Sequence, residues 1–297
     1  MDLVIQGPAL KPEALDTFKV VCNPARIRWN GDAARCVAVR DDAETRRAVE
    51  GLAGYWKLDA AFVPEDLRFA DFRLLAMDMD STLINIESLD EVAAYAGKGA
   101  EVAAITEAAM RGEIADYAES LRRRVAMLAG VEAALLDRVY EEKLRLNPGA
   151  ERLVRAAQDA GLSTLLVTGG FTQFTVRMQA RLGLAATRSN ELEVVGGRLT
   201  GRVTGPAGGP IIDAAGKAEA VALTCAQLGC ATDRAIAIGD GANDLKMMKL
   251  AGVSVAYRAK PVVQSQARFS LNHATLAGVL NWFCDTDSVS LAPDRTA

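Results

Sequence analysis

The sequence predicts an α/β protein: a doubly wound parallel sheet with a helical insertion after its first strand, and a small α/β module at the N-terminus. Over residues 72–283, which we call the main domain, short apolar segments alternate with segments of helical periodicity. That alternation is expected when crossover helices join parallel strands. Residues from about 86 to 147 show helical patterns alone, and residues 1–70 contain a separate set of strands and helices.

Composition limits the class of function. Half of the 297 residues are hydrophobic, so the chain can bury a full core. The net charge of −4 argues against a general nucleic-acid surface. No apolar run reaches the roughly 18 residues that span a bilayer, and the N-terminus lacks the pattern of a signal peptide. We therefore expect a cytoplasmic protein whose partner is a small molecule, with no nucleic acid and no membrane.

The cysteines and the single histidine limit which side chains could be catalytic. The five cysteines are scattered, odd in number and form no C-x-x-C, which indicates free thiols in a reducing compartment. His273 is the single histidine of the sequence, so a His-rich zinc site is excluded and a His-based triad is disfavoured. The catalytic groups are then carboxylates, hydroxyls, amines or thiols.

The N-terminal module (residues 1–70) has the predicted order β-α-β-β-α-β. Its strands are predicted at 3–5, 26–29, 36–39 and 60–63, and its helices at 12–21 and 45–55. The Asn30-Gly31 turn joins the second and third strands as a hairpin. This order is ferredoxin-like, as in amino-acid-binding modules. Ligand sensing and a packing or dimerisation role both remain open, because fold does not fix function.

The main domain begins with a short apolar strand. Its strands are predicted at 74–77, 162–167, 235–238 and 253–256, and the helices between them at 150–160, 173–182, 218–228 and 243–250. A hairpin, which we call the flap, is predicted at 190–195 and 198–203. Four helices at 89–96, 101–110, 116–128 and 131–144 form the insertion, which we call the lid. Residues 285–297 are expected to be a loose tail.

Two carboxylates follow the first strand. Asp78 and Asp80 lie at its C-terminal end, where open α/β sheets place their sites. On a strand their side chains would point to opposite faces, but at a strand-to-loop turn both can approach one phosphorus atom. D-x-D alone is a weak signal, because two solvated loop carboxylates would look the same.

A second acidic segment, Gly239-Asp240-Gly241-Ala242-Asn243-Asp244, follows the apolar strand at 235–238. An oxygen-only ligand set suits Mg²⁺, which binds a few carboxylates together with substrate phosphate. Taken alone, the same residues would also suit an Asx-rich turn that caps the next helix.

Two further pieces could bind a phosphate. The hydroxyl of Thr168 and the N–H of Gly169 are expected at a helix N-terminus, which is a natural anion site, although Thr168 could also be a simple N-cap. Lys217 opens a helix, where its charge opposes the macrodipole. That small cost is understandable if Lys217 faces a phosphate and Asp78.

In order and spacing, these four pieces resemble the haloacid dehalogenase superfamily and, within it, the phosphoserine phosphatases. The resemblance implies that Asp78 forms an aspartyl-phosphate and that Asp80 is the general acid and base. It further implies Mg²⁺ held by Asp78, Asp240 and the backbone carbonyl of Asp80, with Asp244 holding a metal-bound water. The remaining residues of the four pieces would bind substrate: Thr168, Gly169, Lys217 and Asn243.

The same resemblance assigns substrate choice to the lid. Glu87 falls where the family contacts the substrate ammonium, and Arg124 where it pairs with the substrate carboxylate. Arg122 or Arg123 is then expected on a solvated face. Met110 and Tyr117 are expected as apolar packing in the lid, with Tyr117 a small departure from the Phe that is frequent in the family.

The resemblance implies Mg²⁺-dependent hydrolysis of O-phospho-L-serine to L-serine and phosphate, the last step of serine biosynthesis, in a protein that could be a homodimer. One alternative is a phosphatase or phosphotransferase for a related metabolite such as phosphothreonine or homoserine phosphate. An alternative from another class is a non-catalytic amino-acid sensor.

Overall fold

The computed structural model describes residues 1–286 of the chain, and it contains two sheets. A four-stranded antiparallel sheet belongs to the N-terminal module. A seven-stranded, mostly parallel sheet forms the main domain, which confirms the predicted α/β class. Residues 287–297 of the predicted tail lie outside the described residues. Within residues 1–286, no helix is both long and apolar enough to cross a bilayer.

The N-terminal module has the predicted order of elements. They are β1 (Asp2–Gln6), α1 (Pro12–Cys22), β2 (Arg26–Trp29), β3 (Ala33–Val37), α2 (Ala43–Trp56) and β4 (Asp59–Val63). The sheet order is β2-β3-β1-β4, with every pair antiparallel. The strand predicted at 36–39 begins three residues earlier, at Ala33. The reason is a tight turn, in which the Asn30 side chain accepts a hydrogen bond from the Ala33 N–H (3.2 Å).

The sheet of the module packs on both faces. Leu3 and Ile5 of β1 face α1 and α2, whereas Val4 between them belongs to the core of the main domain. This alternation follows from the two-residue period of a strand. At the edge of the module, the Asp59 carboxylate accepts three backbone N–H groups from residues 272–274, at 2.7–2.9 Å. The module is therefore joined to the main domain by apolar packing and by charge-assisted hydrogen bonds.

The main sheet has the order β11-β10-β9-β5-β6-β7-β8. Its strands are β5 (Leu74–Met77), β6 (Ser163–Phe171), β7 (Ala186–Val195), β8 (Arg198–Thr204), β9 (Ala235–Gly239), β10 (Val253–Tyr257) and β11 (Phe269–Leu271). All neighbours are parallel except β7 and β8, which form the flap. The carboxyl ends of β5, β6 and β9 therefore meet at one edge.

Helices cover both faces of this sheet, as in a doubly wound fold. They are α7 (Ala150–Asp159), α8 (Thr172–Leu182), α9 (Ala214–Gln227), α10 (Leu245–Leu250) and α11 (Pro261–Gln264). Alternate residues of β5 show the two faces: Leu75 packs with α7 and α8, whereas Leu74 packs with α9 and α10. The buried strands are accordingly continuous apolar runs, which is typical of parallel sheets.

Four helices occupy the lid segment. They are α3 (Ser88–Tyr95), α4 (Gly99–Met110), α5 (Tyr117–Ala126) and α6 (Ala134–Glu142). Val92, Val102, Leu121 and Val139 are buried within the lid. The lid also contacts the flap, because Leu199 of β8 exchanges backbone hydrogen bonds with Gly130 and Val131 (both 2.8 Å). Lid and flap therefore meet above the carboxyl edge of the sheet.

Two of the boundaries that differ from the sequence prediction affect the end of β6 and the start of the tail. Strand β6 continues to Phe171 instead of ending at 167, with a register shift against β7 between Val167 and Phe171. At the start of the predicted tail, the Asp285 carboxylate accepts the N–H groups of Phe69 (2.7 Å) and Ala70 (3.1 Å). These contacts anchor the first residue of that segment to the start of the main domain.

Candidate active site

A cavity of about 620 Å³ lies between the lid and the carboxyl ends of β5, β6 and β9. Eight of the ten sequence-predicted site residues line it: Asp78, Asp80, Glu87, Arg124, Thr168, Gly169, Asp240 and Asn243. The ninth, Lys217, contacts Asp78. Asp244 lies directly behind them, in contact with Lys217. The fold therefore gathers groups that are up to 166 residues apart, from Asp78 to Asp244.

Lys217 joins two buried carboxylates. Its Nζ lies 2.7 Å from an oxygen of Asp78 and 2.7 Å from an oxygen of Asp244. Lys217 and Asp244 are both fully buried. Burial opposes the charge of Lys217, but Asp244 and Asp78 outweigh it and raise the pKa of the ammonium group. Lys217 therefore stays positive, and it holds Asp78 at the end of β5.

The pKa values of two carboxyl groups in the cavity are shifted upwards. Burial, followed by the negative charge of Asp244, raises the pKa of Asp78 to about 7, although Lys217 opposes the shift. The same two causes raise the pKa of Asp240 to about 6, against a hydrogen bond from Thr82. A nearby cation would favour the ionised form of both groups.

The loop after β5 turns sharply at Ser81. Its φ of +56° is left-handed, which is uncommon for a residue other than glycine. The Ser81 N–H donates to the Ile86 carbonyl (3.1 Å), and its hydroxyl donates to Glu87 (2.7 Å). Such a backbone outlier costs on the order of 1–3 kcal/mol and persists only where its surroundings hold it, often at functional sites. Asp80 directly precedes this turn, and it lies near enough to Asp78 for the charge of Asp78 to act on it.

The two carboxyl oxygens of Asp80 have different surroundings. The Ser88 hydroxyl donates to Asp80 Oδ2 (2.9 Å), whereas Oδ1 is buried and, within residues 1–286, has no hydrogen-bond partner. Burial, with the charges of Glu87 and Asp78, raises the pKa of Asp80 well above its usual range. A protonated carboxyl group can give a proton to a leaving oxygen.

Asn147 holds the same loop from the far end of the lid. Its side-chain amide donates to the carbonyls of Thr82 (2.8 Å) and Ile84 (3.0 Å), and its backbone N–H donates to Leu83 (2.9 Å). Asn147 is buried, so these bonds are shielded from water. The loop that carries Asp78 and Asp80 is thus fixed by a residue at the start of the segment leading to α7.

One set of carboxylates could hold a cation. Asp78, Asp240 and Asp244 each offer an oxygen, and these atoms lie within 4.8 Å of one another. The Met79 N–H and Lys217 both use Oδ1 of Asp78, so Oδ2 makes neither contact. An oxygen-only set with a short spacing fits Mg²⁺ better than a soft metal. Asp78 and Asp240 line the cavity, whereas Asp244 and Lys217 do not.

The loop after β9 depends on glycine at one position. A Cβ atom on Gly239 would overlap with the Asp244 side chain, so only glycine lets Asp244 pack against the strand end. From there, Asp244 Oδ2 accepts the Gly241 N–H (3.0 Å) while Oδ1 accepts from Lys217. Asn243, in the same loop, lines the cavity.

Thr168 and Gly169 lie inside the last part of β6, not at the start of the next helix. Helix α8 begins at Thr172, so the helix N-terminus predicted at Thr168 was wrong. The buried Thr168 hydroxyl accepts the Gly170 N–H (2.9 Å), and the Gly169 carbonyl accepts from Asn190 (2.8 Å). These bonds turn the strand end so that both residues line the cavity.

Three arginines in succession on α5 have different surroundings. Arg122 and Arg123 are exposed, and Arg123 pairs with Glu119 (2.7 Å) on the same helix. Arg124 lines the cavity, and its Nε is buried without a hydrogen-bond partner within residues 1–286. Arg124 is half-buried, and a guanidinium that faces a cavity without a protein partner is suited to an anionic ligand.

The sequence analysis missed four residues of the site. Thr82 donates to Asp240 (3.0 Å), Ser88 donates to Asp80, and Asn147 fixes the loop. Tyr117, expected as apolar packing, turns its hydroxyl into the cavity against Gly169. Thr82 and Ser88 stand close to the D-x-D segment, so their position was a usable signal. Asn147 and Tyr117 carry no local signal, because their contacts form only in the folded chain.

Comparisons with known proteins identify the family of this chain. A sequence profile of the haloacid dehalogenase-like hydrolases matches residues 75–249. A phosphoserine phosphatase of a Polaromonas species is 59% identical over 215 residues, which cover 72% of this chain and 91% of the relative.

Solved structures extend the likeness to nearly the whole chain. A crystal structure of a probable phosphoserine phosphatase from Vibrio cholerae has a TM-score of 0.81 and 33% identity, covering 95% of this chain and 85% of that one. A haloacid dehalogenase family hydrolase from Salmonella enterica serovar Typhi has a TM-score of 0.84 and 30% identity, covering 96% of this chain and 99% of that one.

Proposed function

Because this chain belongs to the haloacid dehalogenase-like hydrolases, and is most similar among the named relatives to phosphoserine phosphatases, we propose that it hydrolyses O-phospho-L-serine to L-serine and phosphate. One observation carries the proposal. The cavity holds two carboxylates suited to phosphoryl transfer, Asp78 and Asp80, and an unpaired guanidinium, Arg124, suited to a substrate carboxylate.

In the proposed first half-reaction, an oxygen of Asp78 attacks the phosphorus and forms an aspartyl-phosphate. The bond between phosphorus and the serine oxygen breaks, and Asp80 gives its proton to that oxygen. The raised pKa of Asp80 supports this role, because the group must be protonated when the alkoxide leaves. Serine then departs, and Asp80 is left as a carboxylate.

In the second half-reaction Asp80 is the base. It takes a proton from a water molecule whose oxygen attacks the phosphorus of the aspartyl-phosphate. The bond to Asp78 breaks, phosphate is released, and both carboxyl groups return to their starting state. The hydrogen bond from Ser88 (2.9 Å) orients Asp80 in both halves.

The carboxylate set fits Mg²⁺, which is the cofactor we propose. Asp78, Asp240 and the backbone carbonyl of Asp80 would hold it, with Asp244 holding a metal-bound water. When bound, Mg²⁺ supplies positive charge that screens Asp78 from the phosphate dianion. The observation behind this assignment is the close group of oxygen donors, which contains no nitrogen or sulfur ligand.

The remaining site residues are assigned to the two ends of the substrate. The phosphate end would be held by Thr168, the Gly169 N–H, Lys217 and Asn243. The amino-acid end would be held by Arg124, which suits bidentate binding of the carboxylate, and by Glu87, which suits the ammonium group. All of them except Lys217 line the same cavity, and Lys217 reaches it through Asp78.

We also propose a division of the chain into domains. Residues 1–70 would be a ferredoxin-like module of the amino-acid-binding type, residues 72–283 the phosphatase domain with a cap at about 86–147, and residues 285–297 a tail. The order of the small sheet supports the first part. We further propose a cytoplasmic enzyme of serine biosynthesis that can form a homodimer.

A phosphate-release screen tests the function. Purified protein with Mg²⁺ is assayed on O-phosphoserine, phosphothreonine, homoserine phosphate and phosphoethanolamine, with Asp78→Asn as the control for contaminating phosphatases. We expect the highest kcat/KM on O-phosphoserine. A higher value on phosphothreonine or homoserine phosphate would favour the related-metabolite enzyme, and amino-acid binding without any turnover would favour the sensor.

A further inference from the structure

Tyr117 is the first residue of α5, and its side chain crosses from the lid to the floor of the cavity. A Cβ atom on Gly169 would overlap with the Tyr117 hydroxyl, so this hydroxyl occupies the space that a side chain at position 169 would fill. The helix start is fixed by Asp116, whose carboxylate accepts the Ala118 N–H (3.1 Å). The hydroxyl is therefore held at one defined place beside the strand end of β6.

The Tyr117 hydroxyl has no protein partner at that place. No residue in the described range 1–286 exchanges a hydrogen bond with it, although Tyr117 lines the cavity together with Asp78 and Asp80. Tyr117 is half-buried and lines the cavity, so its hydroxyl is accessible from the cavity. The unused donor is therefore available to a ligand atom that binds there.

The neighbours of the hydroxyl define which end of the ligand it meets. It touches Gly169, whose N–H is assigned to the phosphoryl group, and the charges that act on it come from Lys217, Arg124, Asp78 and Asp80. Asp78 is the nucleophile in the proposed phosphoryl transfer. A neutral O–H donor between these groups is suited to an anionic oxygen.

We propose that the Tyr117 hydroxyl donates a hydrogen bond to an oxygen of the phosphoryl group, so that the lid itself recognises the phosphate. This inference rests on the proposed phosphatase function and deepens it. Arg124 and Tyr117 lie on the same helix, seven residues apart. Helix α5 would then contact both ends of the substrate: the carboxylate through Arg124 and the phosphate through Tyr117.

The test is Tyr117→Phe, which removes one oxygen and leaves the ring. Tyr95→Phe is the matched control, because Tyr95 is also on the lid but its hydroxyl donates to Glu142 on the surface (2.8 Å). Loss of a hydrogen bond to a charged group is expected to lower kcat/KM by about tenfold or more. That loss should be similar for O-phosphoserine, phosphoethanolamine and p-nitrophenyl phosphate, since all three share only the phosphoryl group.

A second readout separates binding from a structural role. Inorganic phosphate, used as a competitive inhibitor, should bind Tyr117→Phe several-fold more weakly than wild type or Tyr95→Phe, while the thermal midpoint stays unchanged. The proposal would be overturned if Tyr117→Phe kept the kcat/KM and the phosphate affinity of wild type. It would also be overturned if the loss of kcat/KM occurred with O-phosphoserine alone.

The proposal about Tyr117 and the proposed function fail in different ways. If wild type prefers another phosphomonoester to O-phosphoserine, the substrate assignment fails, yet the ratio of Tyr117→Phe to wild type on that ester still tests the hydroxyl. If wild type prefers O-phosphoserine and the variant matches it on every substrate, the function stands and the proposal about Tyr117 fails.

Discussion

The ammonium group of Lys217 lies 2.7 Å from the carboxylate of Asp78, and both residues are buried. Since Lys217 also contacts Asp244 at 2.7 Å, one cation is shared by two buried anions. The proposed nucleophile is thus positioned by a group that neutralises part of the charge around it. This arrangement makes Asp78 rigid and keeps negative charge from driving the substrate phosphate away.

Asp78→Asn is expected to abolish turnover of O-phosphoserine while the protein stays folded. The amide keeps the shape of the side chain but is a poor nucleophile. Wild type that is mixed with ³²P-labelled substrate and quenched in acid should carry the label on Asp78, and the variant should carry none. Turnover by Asp78→Asn comparable to wild type would contradict the covalent mechanism.

Lys217→Met is expected to destabilise the fold as well as to inactivate the enzyme. It leaves Asp78 and Asp244 buried without their cation, and breaking a buried pair in this way typically costs about 3–5 kcal/mol. Chemical denaturation at pH 8 measures the change in the free energy of unfolding. Lys246→Met, which removes an exposed lysine from α10, is the control and should change stability little. Equal stability of the two variants would refute the structural role of Lys217.

Asp80→Asn is expected to slow hydrolysis of O-phosphoserine by roughly 10²–10⁴-fold, because the alkoxide would leave without a proton. The loss should be smaller with p-nitrophenyl phosphate, whose leaving group needs little protonation. Steady-state kinetics on both substrates give the comparison. If the two losses are equal, Asp80 acts through position and not through proton transfer.

The affinity for Mg²⁺ is expected to decrease as the pH is lowered from 8 to 5. The raised pKa values of Asp78 (about 7) and Asp240 (about 6) mean that both groups bind protons as pH falls through that range. Mg²⁺ must then displace those protons, which weakens binding by up to about tenfold per pH unit for each proton.

Calorimetric titration of Mg²⁺ at several pH values measures this effect. Asp240→Asn is the matched variant, and it should bind Mg²⁺ more weakly and with a shallower dependence on pH. EDTA should abolish activity and added Mg²⁺ should restore it. An affinity that is constant from pH 5 to 8, or full activity after exhaustive chelation, would argue against the site.

Arg124→Ala is expected to erase most of the preference for O-phosphoserine over phosphoethanolamine, which lacks the carboxylate. Loss of one charged hydrogen-bonded contact is expected to cost about 10–150-fold in kcat/KM on O-phosphoserine and much less on phosphoethanolamine. Arg123→Ala is the control, since Arg123 lies on the same helix but is exposed and paired with Glu119. An equal loss on both substrates would mean that Arg124 serves the phosphate or the fold.

Much of the fold could be predicted from local pattern. The strand Leu74–Met77 was predicted with its observed bounds, and the succession of strands and helices from β1 to β10 followed from apolar periodicity. Helix α11 and strand β11 were not predicted. Errors occurred where contacts from elsewhere reset a boundary. Strand β6 continues to Phe171 because the Asn190 side chain bridges its end. The Asn190 amide donates to the Gly169 carbonyl and accepts the Ile212 N–H (both 2.8 Å).

The sequence by itself determined which residues bring chemistry to the carboxyl ends of the strands, because strand periodicity and motif spacing fix where Asp78 and Asp240 leave the sheet. Only the tertiary structure decided how those groups are held. The left-handed turn at Ser81, the hydrogen bonds from Asn147 and the placement of the Tyr117 hydroxyl against Gly169 all involve partners that the local pattern does not specify. The physical reason is that backbone periodicity depends on near neighbours, whereas buried polar groups must find partners wherever the packed chain supplies them.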